Sequence, residues 1–154
     1  MAATIGFSNL KIGQRVKVKG KPANDGGFEA MEVEIKPPDD AAALEGKIQN
    51  LDAQKSVLRL MNRDFVVSGG VEIKNAQRQS ISLATLRVGD IVKLKGTYSA
   101  ANGFMPVKVK MQEPKGFGIE ELQGNIDKID ADRKTLDILG FSVMATDKTE
   151  IVRF

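Results

Sequence analysis

The chain has 154 residues, of which 42% are hydrophobic and 28% are charged, a composition typical of folded proteins. Its 23 basic and 20 acidic residues give a net charge of +3, which is too small to require a polyanionic partner. Cys, His and Trp are all absent. This excludes disulfides and removes the commonest general base and transition-metal ligand. We therefore expect no enzyme, no metal site and no cofactor.

The sequence gives little information on location. No segment approaches the roughly 20 consecutive apolar residues of a transmembrane helix. Residues 1–7 have neither the charged region nor the apolar region of a signal peptide. We expect a periplasmic or extracellular protein if a signal was removed, and a cytoplasmic one otherwise.

Short alternating segments separated by turns extend along the chain. The first hairpin is predicted at 15–20 and 28–35, around a turn at 24–27. Further strands are predicted at 46–51, 57–61, 64–67, 91–96, 104–111, 124–129, 135–139 and 142–145. A single helical turn is predicted at 82–87, and linkers at 36–40, 74–79 and 113–118. The pattern indicates an all-β protein built from small barrels.

The sequence is repeated. Segment 10–20 returns as 86–96, offset by 76 residues, and segment 44–52 returns as 122–130, offset by 78 residues. We call residues related by these offsets matched positions. If Phe154 were joined to Met1, Leu10 would follow Ile151 at the same number of residues as Leu86 follows Ile73. The two copies are therefore arranged as a circular repeat.

We therefore predict two small OB-like β-barrels in a pseudo-twofold arrangement. A central continuous unit covers 44–112, and the N- and C-terminal pieces, 1–36 plus 120–154, form the second barrel. That second barrel closes either within the chain or by exchange of a hairpin between chains. In the alternative division, 10–73 and 86–151 would be the two barrels.

The central unit carries Gly46, the pairs 51–52 and 55–56, the segment 86–90 and the turn at 102–103. In these residues it resembles a bacterial domain-of-unknown-function family of small, usually exported, OB-like β-barrel repeats. The resemblance implies a fold and a place in the cell envelope. It implies no catalytic residues, because its motifs are glycines, turns and apolar alternation. We expect two departures from that family, a start midway through a unit and the lack of the signal peptide that exported members carry.

Alternating lysines are the main functional candidates. Lys17 and Lys19 can pair with glutamates on the neighbouring strand, whereas the matched strands carry lysines only. The resulting four-lysine face consists of Lys93, Lys95, Lys108 and Lys110. We expect this face to have no local acidic partner, and like charges across a strand pair cost up to about 1 kcal/mol. Three interpretations remain open: an anion-binding face, a solvated face that discourages aggregation, or a docking surface for the acidic residues 120–121 and 127–132.

Aromatic residues make up only 5% of the chain, and only Tyr98 and Phe117 are left as candidates for stacking on bases. The acidic positions Asp127, Asp130 and Asp132 match a turn better than a calcium loop, because the other copy retains only Asp52.

We therefore expect a non-enzymatic binding or scaffold module of the bacterial cell envelope. Its partner would be an acidic protein or a polyanion bound by the four-lysine face, with Tyr98 as an additional contact. The alternatives are a nucleic-acid-binding OB-fold protein and a self-assembling, fibre-forming subunit that associates by strand or hairpin exchange.

Overall fold

The computed structural model describes residues 3–4, 6–23, 27–39, 41–67, 69–99, 101–112 and 120–153. Most of the predicted turn at 24–27, the predicted linker at 113–118 and Phe117 lie outside these residues. Within them the chain forms β-strands and two 3₁₀ turns but no α-helix, so the prediction of an all-β protein is confirmed. None of the described segments supplies a helix of the length and apolarity needed to cross a membrane.

The strands follow the predicted segments except for three short ones, at 3–4, 72–74 and 150–153, which were not predicted, and Lys74 at the start of the predicted linker 74–79 is the last residue of one of them. They are β1 (Ala3–Thr4), β2 (Arg15–Pro22), β3 (Phe28–Lys36), β4 (Ala42–Lys47), β5 (Asn50–Asp52), β6 (Val57–Leu60), β7 (Arg63–Val66), β8 (Glu72–Lys74), β9 (Ile91–Ser99), β10 (Gly103–Met111), β11 (Glu120–Asp130), β12 (Thr135–Ile138), β13 (Phe141–Met144) and β14 (Glu150–Arg153). The 3₁₀ turns are Phe7–Asn9 and Leu83–Thr85, the second of which lies within the predicted helical turn. The predicted strand at 46–51 is divided between β4 and β5.

Five strands form a closed barrel. β2 pairs with β3, β3 with β13, β13 with β12, β12 with β11, and β11 returns to β2. The barrel therefore combines the N-terminal hairpin with C-terminal strands of the same chain. β14 also pairs with β3, and β1 pairs with β14. The strand pairing establishes which segments share this barrel, while the domain boundaries themselves stay a prediction.

The strands of the central segment extend the same sheet. β4 pairs with β11 on one side and with β9 on the other, and β10 and β8 follow in order. β5, β6 and β7 form a separate three-stranded sheet. It packs on β10 through side chains, with the rings of Phe65 and Phe104 edge-to-face at 5.8 Å between centroids. One continuous hydrophobic core includes residues from both parts of the chain.

A β-bulge at the same place in each hairpin shapes the strands that carry the lysines. The register skips Met31 in β3 and Val107 in β10, opposite Gly20 and Gly96 respectively. A Cβ on either glycine would lie 2.0 Å from a carbonyl oxygen of the neighbouring strand. Only glycine permits this close approach, which bends both hairpins.

Candidate anion-binding site

The four predicted lysines lie together on β9 and β10. In the antiparallel register Lys93 is opposite Lys110 and Lys95 is opposite Lys108. Residues two apart on a strand are separated by about 7 Å, and neighbouring strands by about 5 Å. The four side chains therefore project from the corners of a small rectangle on one face of the sheet.

Two further cations complete a pocket at this face. A cavity of about 340 Å³ is lined by Lys74 and Arg78 together with the four lysines, so every lining residue is cationic. Lys74 belongs to β8, which pairs in parallel with β10 and places Lys74 beside Lys110. Arg78 lies in the loop that follows, with a positive φ of 66°. Sequence reasoning missed both, because the parallel pairing of β8 with β10 leaves no local signal.

Two carboxylates border this pocket. Glu45 of β4 is opposite Lys93, and Glu72 of β8 is in register with Lys108. Lys74 Nζ lies 2.9 Å from Glu72 Oε1. The expectation that the four lysines lack a local acidic partner is therefore corrected for Lys93 and Lys108. Pairing with strands outside the hairpin supplies both carboxylates.

Positive charge is nevertheless in excess. None of the ion pairs found among the described residues includes Lys95, Lys108 or Lys110. Burial lowers the pKa of Lys93, and the neighbouring Lys95 lowers it further, while Glu45 acts in the opposite direction. The hydrogen bond from Lys74 lowers the pKa of Glu72. Bringing an anion to this face would relieve the repulsion between its cations.

The matched face of the closed barrel has compensated charges. Lys17 is opposite Glu34 and Lys19 is opposite Glu32, as predicted. Lys17 Nζ also lies 3.7 Å from Glu121 Oε2, across the β2–β11 pairing. The excess of cations is therefore a property of the β9–β10 face and not of the fold.

The acidic residues considered for docking make contacts of their own. Glu121 is in contact with Lys17, and Glu120 Oε1 accepts a hydrogen bond from the backbone N–H of Lys47. Asp52 Oδ1 accepts two hydrogen bonds from the following turn, and Asp130 Oδ1 accepts one from the N–H of Arg133. These aspartates stabilise turns, as the sequence indicated. Within the described ranges, acidic side chains form no cluster of three or more able to hold a metal ion.

Tyr98 does not share the lysine pocket. It is partly buried and packs against the core on the other face of β9. There it lines a separate cavity of about 600 Å³ with Phe65 and Phe104. Burial raises the pKa of Tyr98, and the charge of Asp127 raises it further. The structure therefore separates Tyr98 from the four lysines.

A family model described as Domain of unknown function (DUF5666) matches residues 2–34 and 45–110. The chain belongs to this family. The second matched segment runs from within β4 to within β10 and so includes the four lysines. No curated protein and no solved structure matches the chain.

Proposed function

Starting from this membership, we propose that the protein is a non-enzymatic binding module that holds an anionic partner on its four-lysine face. The observation that carries the proposal is the pocket itself: six cationic side chains surround one cavity, and all of them except Lys74 join none of the ion pairs found among the described residues. Lys108 and Lys110 are only partly exposed, so their charges are incompletely screened by water.

The matched hairpin argues against a purely solvated lysine face. Glu32 and Glu34 occupy there the positions of Lys108 and Lys110. The fold therefore accommodates carboxylates at these positions and gains cross-strand pairs from them. Lysines at the same positions in β10 oppose folding slightly. A bound anion would compensate for this cost.

We propose the bacterial cell envelope as the location, and a scaffold or binding role there. This part of the proposal is supported by the resemblance of the central unit to exported β-barrel repeats. An envelope protein meets acidic proteins and anionic polymers, either of which could occupy a cationic face. The lining of the pocket contains no aromatic ring, which favours such partners over single-stranded nucleic acid.

The test compares two double variants with the same change in net charge. Lys93→Gln/Lys95→Gln alters the pocket, and Lys17→Gln/Lys19→Gln alters the matched positions on β2. Binding of poly-glutamate is measured for both at low and moderate salt. Each removed charge should contribute up to about 1 kcal/mol to binding. We therefore expect the affinity for poly-glutamate to fall roughly tenfold in the first variant and to stay unchanged in the second.

Circular dichroism and thermal unfolding establish that both variants fold. Equal losses in the two variants would show that only net charge matters and would contradict the proposal. The native partner is sought by passing bacterial extract over the immobilised protein, with the immobilised Lys93→Gln/Lys95→Gln variant as the negative control.

A further inference from the structure

The size of the lysine pocket limits what it can hold. Its volume of about 340 Å³ is near the lower end of the roughly 300–1,000 Å³ typical of ligand clefts. Six cations share this space, and within the described part of the chain Glu45 and Glu72 are their acidic register partners, with Glu121 beyond Glu45 on β11. An occupant that balances the pocket must therefore carry several negative charges within a few ångströms of one another.

Few anions have this charge density. An acidic polypeptide or a uronic-acid polysaccharide carries one carboxylate per residue, so a pocket of this size would take one or two charges. A nucleic acid carries one phosphate per nucleotide, and its bases need stacking surfaces that the pocket lining lacks. A short chain of directly linked phosphates carries at least one charge on every phosphorus.

The type of cation fits the same class. Five of the six lining residues are lysines, and Arg78 is the single arginine. Lysine is a compact point charge with three donors that can reach phosphate oxygens, whereas arginine serves planar bidentate recognition of a carboxylate or a phosphate. Lysines on neighbouring strands, about 5 Å apart, can reach the oxygens of adjacent phosphates.

Resting on the proposed function, we infer that the pocket binds a compact oligophosphate, that is, two or more directly linked phosphate groups, free or as part of a larger molecule. Lys93 and Lys110 face each other across the strand pair, with Lys74 in register beside Lys110. These three provide a row of ammonium groups, and Lys95 and Lys108 provide a second row. Arg78 closes the loop side of the pocket.

The pH dependence of binding provides a second, independent measurement, because Lys93 can take up a proton when an anion binds. Burial lowers the pKa of Lys93, and Lys95 and Lys17 lower it further, whereas Glu45 and Glu121 act in the opposite direction. A bound oligophosphate beside Lys93 would raise that pKa again. Binding should therefore take up protons at alkaline pH, and affinity should fall as the pH rises through the pKa of free Lys93.

Isothermal titration at constant ionic strength tests the inference on the full chain, with tripolyphosphate as the probe. Orthophosphate, poly-glutamate and a single-stranded oligonucleotide are the comparison ligands. We expect tripolyphosphate to bind at least tenfold more tightly than orthophosphate. We expect Lys108→Gln/Lys110→Gln to weaken it at least tenfold and Lys17→Gln/Lys19→Gln to change it less than twofold.

The outcomes separate the two proposals. If poly-glutamate binding depends on the pocket lysines and tripolyphosphate binding does not, the ligand class is wrong and the proposed function stands. Preference for the oligonucleotide overturns the oligophosphate class and favours nucleic acid. If every probe binds the Lys108→Gln/Lys110→Gln variant and the Lys17→Gln/Lys19→Gln variant equally well, both proposals fail. Titrations in two buffers of different ionisation enthalpy measure the proton uptake, and its absence at alkaline pH counts against the role of Lys93.

Discussion

Leu44 and Leu122 are direct partners in the antiparallel pairing of β4 with β11, and both side chains are buried. They occupy matched positions 78 residues apart in the sequence. On either side of them, Ala43 is opposite Gln123 and Glu45 is opposite Glu121. Gln123 is the matched position of Glu45, and Glu121 is the matched position of Ala43. Exchanging β4 with β11 therefore leaves the set of pairs unchanged, so the two strands meet about a local pseudo-twofold axis. This junction joins the central strands to the closed barrel.

We expect Leu44→Ala and Leu122→Ala each to lower the free energy of unfolding by about 2–5 kcal/mol, because both truncate buried side chains. Because the two residues are in direct register, the double variant should depart from additivity by more than about 0.5 kcal/mol. Urea unfolding of the four proteins measures the coupling. Additive losses would show that the two residues do not interact across the junction.

Gly20→Ala and Gly96→Ala should each destabilise the protein by about 3 kcal/mol or more. The new Cβ would lie 2.0 Å from the carbonyl oxygen of Glu29 or Met105, and backbone must move to relieve the clash. Gly69→Ala is the control, since a Cβ there meets nothing within 4 Å. Chemical unfolding compares the three. Comparable midpoints for the Gly96→Ala and Gly69→Ala variants would contradict the close approach.

Glu120→Gln should change the pH dependence of stability. Burial raises the pKa of Glu120, and its Oε2 has no hydrogen-bond partner among the described residues. The folded-state pKa therefore exceeds the unfolded value, so ionisation opposes folding and stability is lost as pH rises through this interval. The variant should therefore gain stability relative to the native chain as the pH rises above the ordinary pKa of a glutamate, about 4.3.

Measurements of unfolding at several pH values test this sign. Glu120→Ala, which copies Ala42 at the matched position, serves as a second variant without a carboxyl group. A stability difference that stays constant with pH in both variants would refute the raised pKa.

Tyr98 can be followed without interference, because the chain has one Tyr and no Trp. Its pKa is raised by burial and then by the charge of Asp127. The absorbance of tyrosinate should therefore titrate above the usual value near 10, and Asp127→Asn should move the midpoint partly back. An unshifted midpoint in the folded native chain would place Tyr98 in open solvent.

Part of this architecture could be read from local pattern. Alternation of apolar and charged residues placed Lys17 and Lys19 on one face and identified the hairpin glutamates as their partners. The same reasoning found the four-lysine face but assigned it no acidic neighbours. Glu45 and Glu72 come from β4 and β8, whose pairing with β9 and β10 depends on contacts far apart in the sequence.

The sequence by itself determined the strands, the hairpins and the face on which each lysine lies, because side chains of a strand alternate with a period of two. The tertiary structure decided which hairpins meet, since that depends on burying Leu44 and Leu122 in one core. It thereby also brought Lys74 and Arg78 to the four lysines. Charge accumulates in that pocket because burial of apolar side chains dictates strand pairing, and repulsion of about 1 kcal/mol is too weak to oppose it.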